Sequence, residues 1–182
     1  GPDGKKVNFG NIPNLRPGPS DTFMSYDLPW ANLSNTPFRL FKRWVHEGGI
    51  STPFIVHWPK KIQSHGVIDT PVQFADISPT ILDICDSKYP KTYNQKDITP
   101  LEGESFFRLF QGKEFNKDKP LCWEHEGNRA VRVGNWKLVS EYPGPWELYN
   151  ISDDRSETNN LVNKEKEIAS SLEKKYKDWS SR

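Results

Sequence analysis

Over the first forty residues the apolar side chains follow neither a helical nor a two-residue repeat, and Pro13, Pro17, Gly18, Pro19, Pro29 and Pro37 interrupt them. A loop as long as residues 1–41 is either functional or an element whose partners lie elsewhere. We read it as a substrate-side loop cut away from an upstream sheet. At Thr52 the pattern changes. Pro53-Phe54-Ile55-Val56-His57-Trp58-Pro59 is an almost continuous apolar run between prolines, which predicts a strand over 53–58 buried on both faces, as in an α/β sheet. Ser78-Pro79 offers an N-cap followed by a first-turn proline, so a helix is expected over 78–86. Its Phe74, Ile77, Ile81, Leu82, Ile84 and Cys85 side would pack into a core. Ser105–Phe110 reads as a short amphipathic helix stopped by Gly112.

In the last third, Leu121–His125, Arg129–Val133, Trp136–Val139 and Glu147–Ile151 are short strand-like runs. Glu126-Gly127-Asn128 and the hairpin pair Gly134-Asn135 separate the first three, and Pro143-Gly144-Pro145 bends the chain before the fourth. Val131/Val133 and Trp136/Leu138 alternate with polar residues, which predicts an antiparallel sheet with one wet face. A helix is expected over 164–180, with Asn163 as N-cap, Glu165 and Glu167 in its first turn and Lys174, Lys175 and Lys177 near its end. Its stripe of Ile168, Leu172, Tyr176 and Trp179 would cover the sheet, with Trp136, Trp146 and Tyr149 in the core between them. The expected fold class is α/β with a C-terminal α+β part. Residues 1–118 would end an α/β domain, and residues 119–182 would form a four-stranded antiparallel subdomain packed by the last helix.

Composition bounds the function. A net charge of +1 over 182 residues gives no long-range field to attract nucleic acid or an acidic membrane. No stretch approaches the roughly 20 apolar residues that span a bilayer. The 34% hydrophobic content is low, and seven Trp, six Tyr and ten Phe offset it by their large buried area. Cys85 and Cys122 have no Cys-x-x-Cys or Cys/His spacing, so they read as buried free thiols and no metal site is built from them.

The chemistry concentrates between Asn35 and Pro59. Gly48-Gly49 before the expected strand permits backbone paths closed to other residues. Lys42 and His46 stand four apart, so a helical turn would bring both to one face. Glu47 is expected to order the turn by accepting hydrogen bonds from backbone or lysine. His57 reads as structural, His65 and His125 as exposed, and Asp153-Asp154 as turn chemistry.

Lys42-x-x-x-x-Glu47-Gly48-Gly49-x-x-x-Pro53-x-x-x-x-Trp58-Pro59 resembles the sulfatase family. Asp69-x-Pro71-Val72, Asp76-Ile77-x-Pro79-Thr80, Gly103-Glu104-Ser105-Phe106, Trp123-Glu124-His125, Arg129-Ala130-Val131-Arg132 and Gly134-Asn135-Trp136-Lys137-Leu138-Val139 follow in the family's order. So do Glu147-Leu148-Tyr149-Asn150 and Asp154-x-x-Glu157-x-x-Asn160-Leu161. The resemblance covers about residues 30 to 180, and Trp30–Phe38 looks most like the bacterial arylsulfatases.

The resemblance implies an alkaline-phosphatase-like α/β sheet, of which this chain would hold the edge. It also implies hydrolysis of sulfate esters by a formylglycine nucleophile beside calcium, in a periplasmic or secreted protein. Lys42 would be the catalytic and substrate-binding cation on the sulfate oxygens. His46 stands where the family often has an aromatic or polar residue, and both a substrate contact and a structural or rim role are open to it. The formylglycine precursor, Cys or Ser in Cys/Ser-x-Pro-x-Arg, and the calcium ligands would lie upstream, so no metal ligand is assigned here. The chain alone is expected to be inactive and to pack against an N-terminal sulfatase core. Its partner would be a sulfated small molecule or glycan. Two other readings are a related phosphate or phosphonate ester hydrolase, and a non-catalytic carbohydrate-binding β module with solvent-facing tryptophans.

Overall fold

The structure, a computed structural model, describes residues 1–25, 27–62, 66–115 and 119–182. The elements run β1 (Asn8–Phe9), β2 (Thr22–Phe23), α1 (Leu28–Asn35), α2 (Glu47–Ile50), α3 (Ile77–Ile84), β3 (Thr92–Tyr93), β4 (Lys96–Asp97), α4 (Phe107–Phe110), β5 (Leu121–His125), β6 (Asn128–Val133), β7 (Trp136–Ser140), β8 (Glu147–Asn150) and α5 (Lys166–Ser180). They form two compact units, one of residues 1–52 with 123–182 and one of residues 53–122. This division differs from the expected boundary after residue 118. The reason is that Val45 and Ile50 pack into the core of the C-terminal sheet.

In the first unit the sheet order is β5-β6-β7-β8. Its register pairs Val131 with Leu138 and Leu138 with Leu148 on one face, and Ala130 with Val139 and Lys137 with Tyr149 on the other. Two-residue turns set that register. Glu126 and Gly127 both have positive φ, at 52° and 81°, the requirement of a type I′ hairpin whose twist matches the strands. Gly134 opens the next turn at φ 56°. The Leu138 face packs under α5, whose buried side chains are Leu172 and Tyr176. Trp146 meets Tyr176 edge-on at 5.4 Å. The expected N-cap Asn163 gives way to Glu165, and the helix begins at Lys166.

The opposite face is not wet. Ala130, Val139, Tyr149 and Ile151 are buried there with Val45, against Ile50 and Trp123. Alternation misread this face because its cover lies about ninety residues upstream in the chain. Residues 1–41 are also not wholly structureless. β1 and β2 pair in parallel, Phe9 and Phe23 sit with ring centroids 5.4 Å apart, and α1 buries none of its residues.

In the second unit, Asp76 rather than Ser78 begins the central helix. Its buried carboxylate accepts hydrogen bonds from the N–H groups of Gln73 at 2.7 Å and Glu104 at 2.9 Å. Thr80 Oγ1 donates to the Asp76 carbonyl and accepts from the Phe106 N–H. The expected strand 53–58 carries no ladder pairing, and Ile55 is 87% exposed. A strand needs a neighbour to satisfy its backbone, and the described residues of this unit supply none beside it. The apolar side of α3 and the turn before it are likewise uncovered, with Ile81 55% and Phe74 90% exposed. Cys122 is buried as expected, whereas Cys85 is exposed at the open end of α3; both are free thiols. Among the described residues no helix is long and apolar enough to cross a membrane.

Candidate functional site

Lys42 stands at the tip of a tight turn in the first unit. The Trp44 N–H donates to the Phe41 carbonyl at 3.2 Å, which places Lys42 and Arg43 at the turn's centre. Leu40 has φ 65° and Arg43 φ 111°, so residues with ordinary side chains occupy left-handed backbone on both sides of Lys42. The third position of such a turn normally takes glycine or asparagine, and an arginine there costs about 1–3 kcal/mol that the surroundings must offset. The Lys42 side chain is exposed, and among the described residues no hydrogen bond or ion pair holds its Nζ.

Below the turn, the Gly48 N–H donates to the Arg39 carbonyl at 2.9 Å and the Gly49 N–H to the His46 carbonyl at 2.8 Å. The two glycines are required by proximity, not by positive φ. A Cβ on Gly48 would run into the carbonyl oxygens of Arg39 and Leu40, and one on Gly49 into those of Trp44 and Phe41. The pair therefore lets α2 press directly against the backbone that carries Lys42.

Lys42 and His46 do not share a helical face, because the chain turns at Lys42 and the helix begins only at Glu47. His46 is fully buried. Its Nε2 lies 3.4 Å from Glu147 Oε2, and its buried Nδ1 has no hydrogen-bond partner among the described residues. The same Glu147 oxygen accepts from Tyr149 Oη at 2.7 Å and from Arg39 Nη1 at 3.0 Å. His46 above all, then Tyr149 and Arg39, hold the Glu147 carboxyl down at about 2 against the opposing effect of burial. Burial, reinforced by Glu147, raises the Tyr149 phenol.

A second buried cluster fixes α2. Lys137 Nζ lies 2.9 Å from Glu47 Oε1 and 2.9 Å from Glu157 Oε1, and all three side chains are buried. Glu157 Oε2 also accepts the Glu47 backbone N–H at 2.7 Å. Arg155 Nη2, at 4.0 Å from Glu47 Oε2, adds a second positive charge at the rim. Glu47 thus orders the turn as expected, and its lysine partner is Lys137.

The turn is tied to the sheet at three further points. Arg43 Nε pairs with Glu126 Oε2 at 2.7 Å, Trp44 Nε1 donates to Glu141 Oε1 at 2.9 Å, and Asn128 Nδ2 donates to the Arg43 carbonyl at 3.3 Å. Sequence reasoning did not single out Lys137, Glu157 or Asn128 as parts of this site, although the first two lie within the family-like stretches.

Elsewhere, His57 is exposed rather than structural, since the run around it has no sheet to join. His125 is exposed as expected, and His65 lies outside the described residues. Asp154 accepts the N–H groups of Thr158 at 2.9 Å and Asn159 at 2.8 Å, the turn chemistry expected of it. Trp30 is exposed, whereas the other six tryptophans are half-buried. Among the described residues no three His, Cys, Asp or Glu side chains gather as ion ligands. Neither Cys85 nor Cys122 lies in a Cys-x-Pro-x-Arg sequence. The described residues therefore do not fit calcium, neither cysteine fits a formylglycine precursor, and neither group enters the chemistry assigned to this chain.

Residues 38–181 match the family model described as N-sulphoglucosamine sulphohydrolase, C-terminal. An uncharacterized sulfatase of Schizosaccharomyces pombe is 33% identical over 177 residues, covering 93% of this chain and 30% of that protein. A sulfatase of Formosa agariphila is 30% identical over 146 residues, covering 71% of this chain and 26% of its own. The crystal structure of Ps i-CgsB superposes with a TM-score of 0.61 at 27% identity, covering 80% of this chain and 32% of that one. The chain thus spans about a third or less of the length of these relatives, which are both eukaryotic and bacterial.

Proposed function

The chain belongs to the sulfatase family, in the part described as N-sulphoglucosamine sulphohydrolase, C-terminal, and on that premise we propose that it forms one wall of the active site of a sulfate ester hydrolase, with Lys42 as its substrate-contacting cation. The observation that carries this is an exposed ammonium, unpaired among the described residues, on a strained turn that a buried ion-pair cluster, a half-buried one and a glycine contact hold in place. Sulfuryl transfer spreads negative charge over the peripheral oxygens and the departing oxygen. A fixed cation stabilises that charge without having to reorganise during the reaction. Lysine suits this as a compact point charge that meets oxygens from several directions.

His46, expected at the substrate, is better placed to hold the turn through Glu147. Only its Nδ1 side is unclaimed. The nucleophile, together with the formylglycine and calcium implied by the resemblance, is assigned to residues outside this chain. The uncovered 53–58 run and the open side of α3 support packing of the second unit against such a core. A sulfated sugar or other sulfated small molecule is the substrate class, and the matched family's own description names a sulfoglucosamine. A periplasmic or secreted location goes with this reading.

The test is Lys42→Ala in the polypeptide that joins this segment to the remainder seen in its relatives. Turnover of an aryl sulfate falls at least a hundredfold while the melting temperature is unchanged. Turnover within a few-fold of the parent would reject the assignment.

A further inference from the structure

Arg43, the residue after Lys42, has φ 111°, and something must keep it there. Its Glu126 ion pair joins two exposed side chains and contributes little in water. Among the described residues, the side-chain hydrogen bond to the Arg43 backbone comes from a buried residue. Asn128, 3% exposed at the start of β6, donates from Nδ2 to the Arg43 carbonyl at 3.3 Å and accepts the Tyr142 N–H on Oδ1 at 3.0 Å. Donor and acceptor ends each find the matching partner, so both bonds fix the amide in the same orientation.

The hairpin carries Asn128 to this spot. The Glu126-Gly127 turn immediately precedes it, and a Cβ on Gly127 would come within 2.7 Å of the Tyr142 ring, so the turn lies flat against Tyr142. We propose that Asn128 is a positioning residue for Lys42, acting through the carbonyl of Arg43. This inference rests on the reading of Lys42 as the sulfate contact.

The two ends of the amide can be separated experimentally. Asn128→Asp keeps an acceptor for the Tyr142 N–H, hence the hairpin, but turns an oxygen toward the Arg43 carbonyl and loses the donor. Leu172→Ala is the comparison variant, because it weakens α5 without touching the turn.

In this chain the readout is the rate of limited trypsin cleavage after Lys42 and Arg43. It rises tenfold or more in Asn128→Asp and not selectively in Leu172→Ala. In the longer polypeptide the readout is kcat across aryl sulfates of graded leaving-group pKa. Asn128→Asp lowers kcat tenfold or more and changes the slope in the same direction as Lys42→Ala. Leu172→Ala leaves the slope unchanged, since a smaller folded fraction scales every substrate alike.

Parent-like cleavage in Asn128→Asp refutes the clamp whatever Lys42 does. Faster cleavage with an unchanged slope, while Lys42→Ala shifts it, refutes the positioning role and leaves the Lys42 assignment standing. If Lys42→Ala itself leaves turnover intact, the assignment of Lys42 falls and the positioning role falls with it.

Discussion

Lys137 Nζ lies 2.9 Å from Glu47 Oε1 across 90 positions of sequence, and neither side chain reaches solvent to any extent. The pair joins the middle of β7 to the first residue of α2, directly beneath the turn that presents Lys42. A buried ion pair adds little net stability over an apolar pair, but losing one partner strands the other charge in a poorly solvating interior.

Lys137→Met therefore leaves Glu47 and Glu157 buried without their cation and destabilises the chain by about 3–5 kcal/mol. Adding Glu47→Gln and Glu157→Gln recovers part of that loss, because the charges needing a partner have gone. Urea unfolding followed by tryptophan fluorescence reads both effects. Additive losses in the triple variant would show that the three side chains act independently.

Gly49→Ala places a methyl group against the carbonyl oxygens of Trp44 and Phe41, so the helix start and the Lys42 turn cannot both keep their positions. The expected result is a melting temperature lowered by several degrees. Gly10→Ala meets no atom within 4 Å, although its φ of +92° carries its own strain of about 1 kcal/mol, and it falls less. Equal losses in the two variants would remove the argument for close approach.

The C-terminal sheet and its helix were legible because two-residue alternation from Leu121 to Asn150 and the Leu172/Tyr176 stripe are local signals. The Gly134-Asn135 hairpin was legible, whereas Asn128, expected in the preceding turn, opens β6 and leaves a two-residue turn at Glu126-Gly127. Lys137 was not legible, since a lysine between Trp136 and Leu138 is the usual mark of a solvent face. Its burial comes with Glu47, arriving from far upstream, and with Glu157, both of which pair with its ammonium. Lys42 could be singled out by its resemblance to the sulfatase lysine, but its setting could not. Arg43 does not advertise a positive φ as glycine would, and the four-residue spacing to His46 suggested a helix where the chain turns. The buried strand expected over 53–58 is not formed, because pairing depends on a neighbour that the described residues of this unit do not provide.

That unpaired run makes a prediction for the second unit. Ile55 and Phe74 are almost fully exposed, so replacing them with polar residues removes apolar surface from water without opening a cavity. Ile55→Thr with Phe74→Ser lowers dye binding by 1-anilinonaphthalene-8-sulfonate and reduces concentration-dependent light scattering, with the melting temperature held. A marked loss of stability would mean that both side chains are covered in solution.

Glu147 contributes to the acid response of the first unit. Its carboxyl falls from an ordinary 4.5 to about 2, chiefly through His46, with Tyr149 and Arg39 adding to it and burial opposing. Because the folded-state value is depressed, the unfolded chain takes up the proton first as pH drops. The contribution is thus fully present above pH about 4.5 and is lost progressively as pH falls toward about 2. Glu147→Gln removes the titrating group while keeping an oxygen for Tyr149 and Arg39. The variant is expected to be less stable than the parent at pH 7, with the difference narrowing steadily between pH 4.5 and pH 2. Urea midpoints measured at half-unit steps across that window give the comparison. A gap that stays constant through it would mean that Glu147 is not held ionised by His46, Tyr149 and Arg39, and that the buried imidazole stabilises the turn by packing alone.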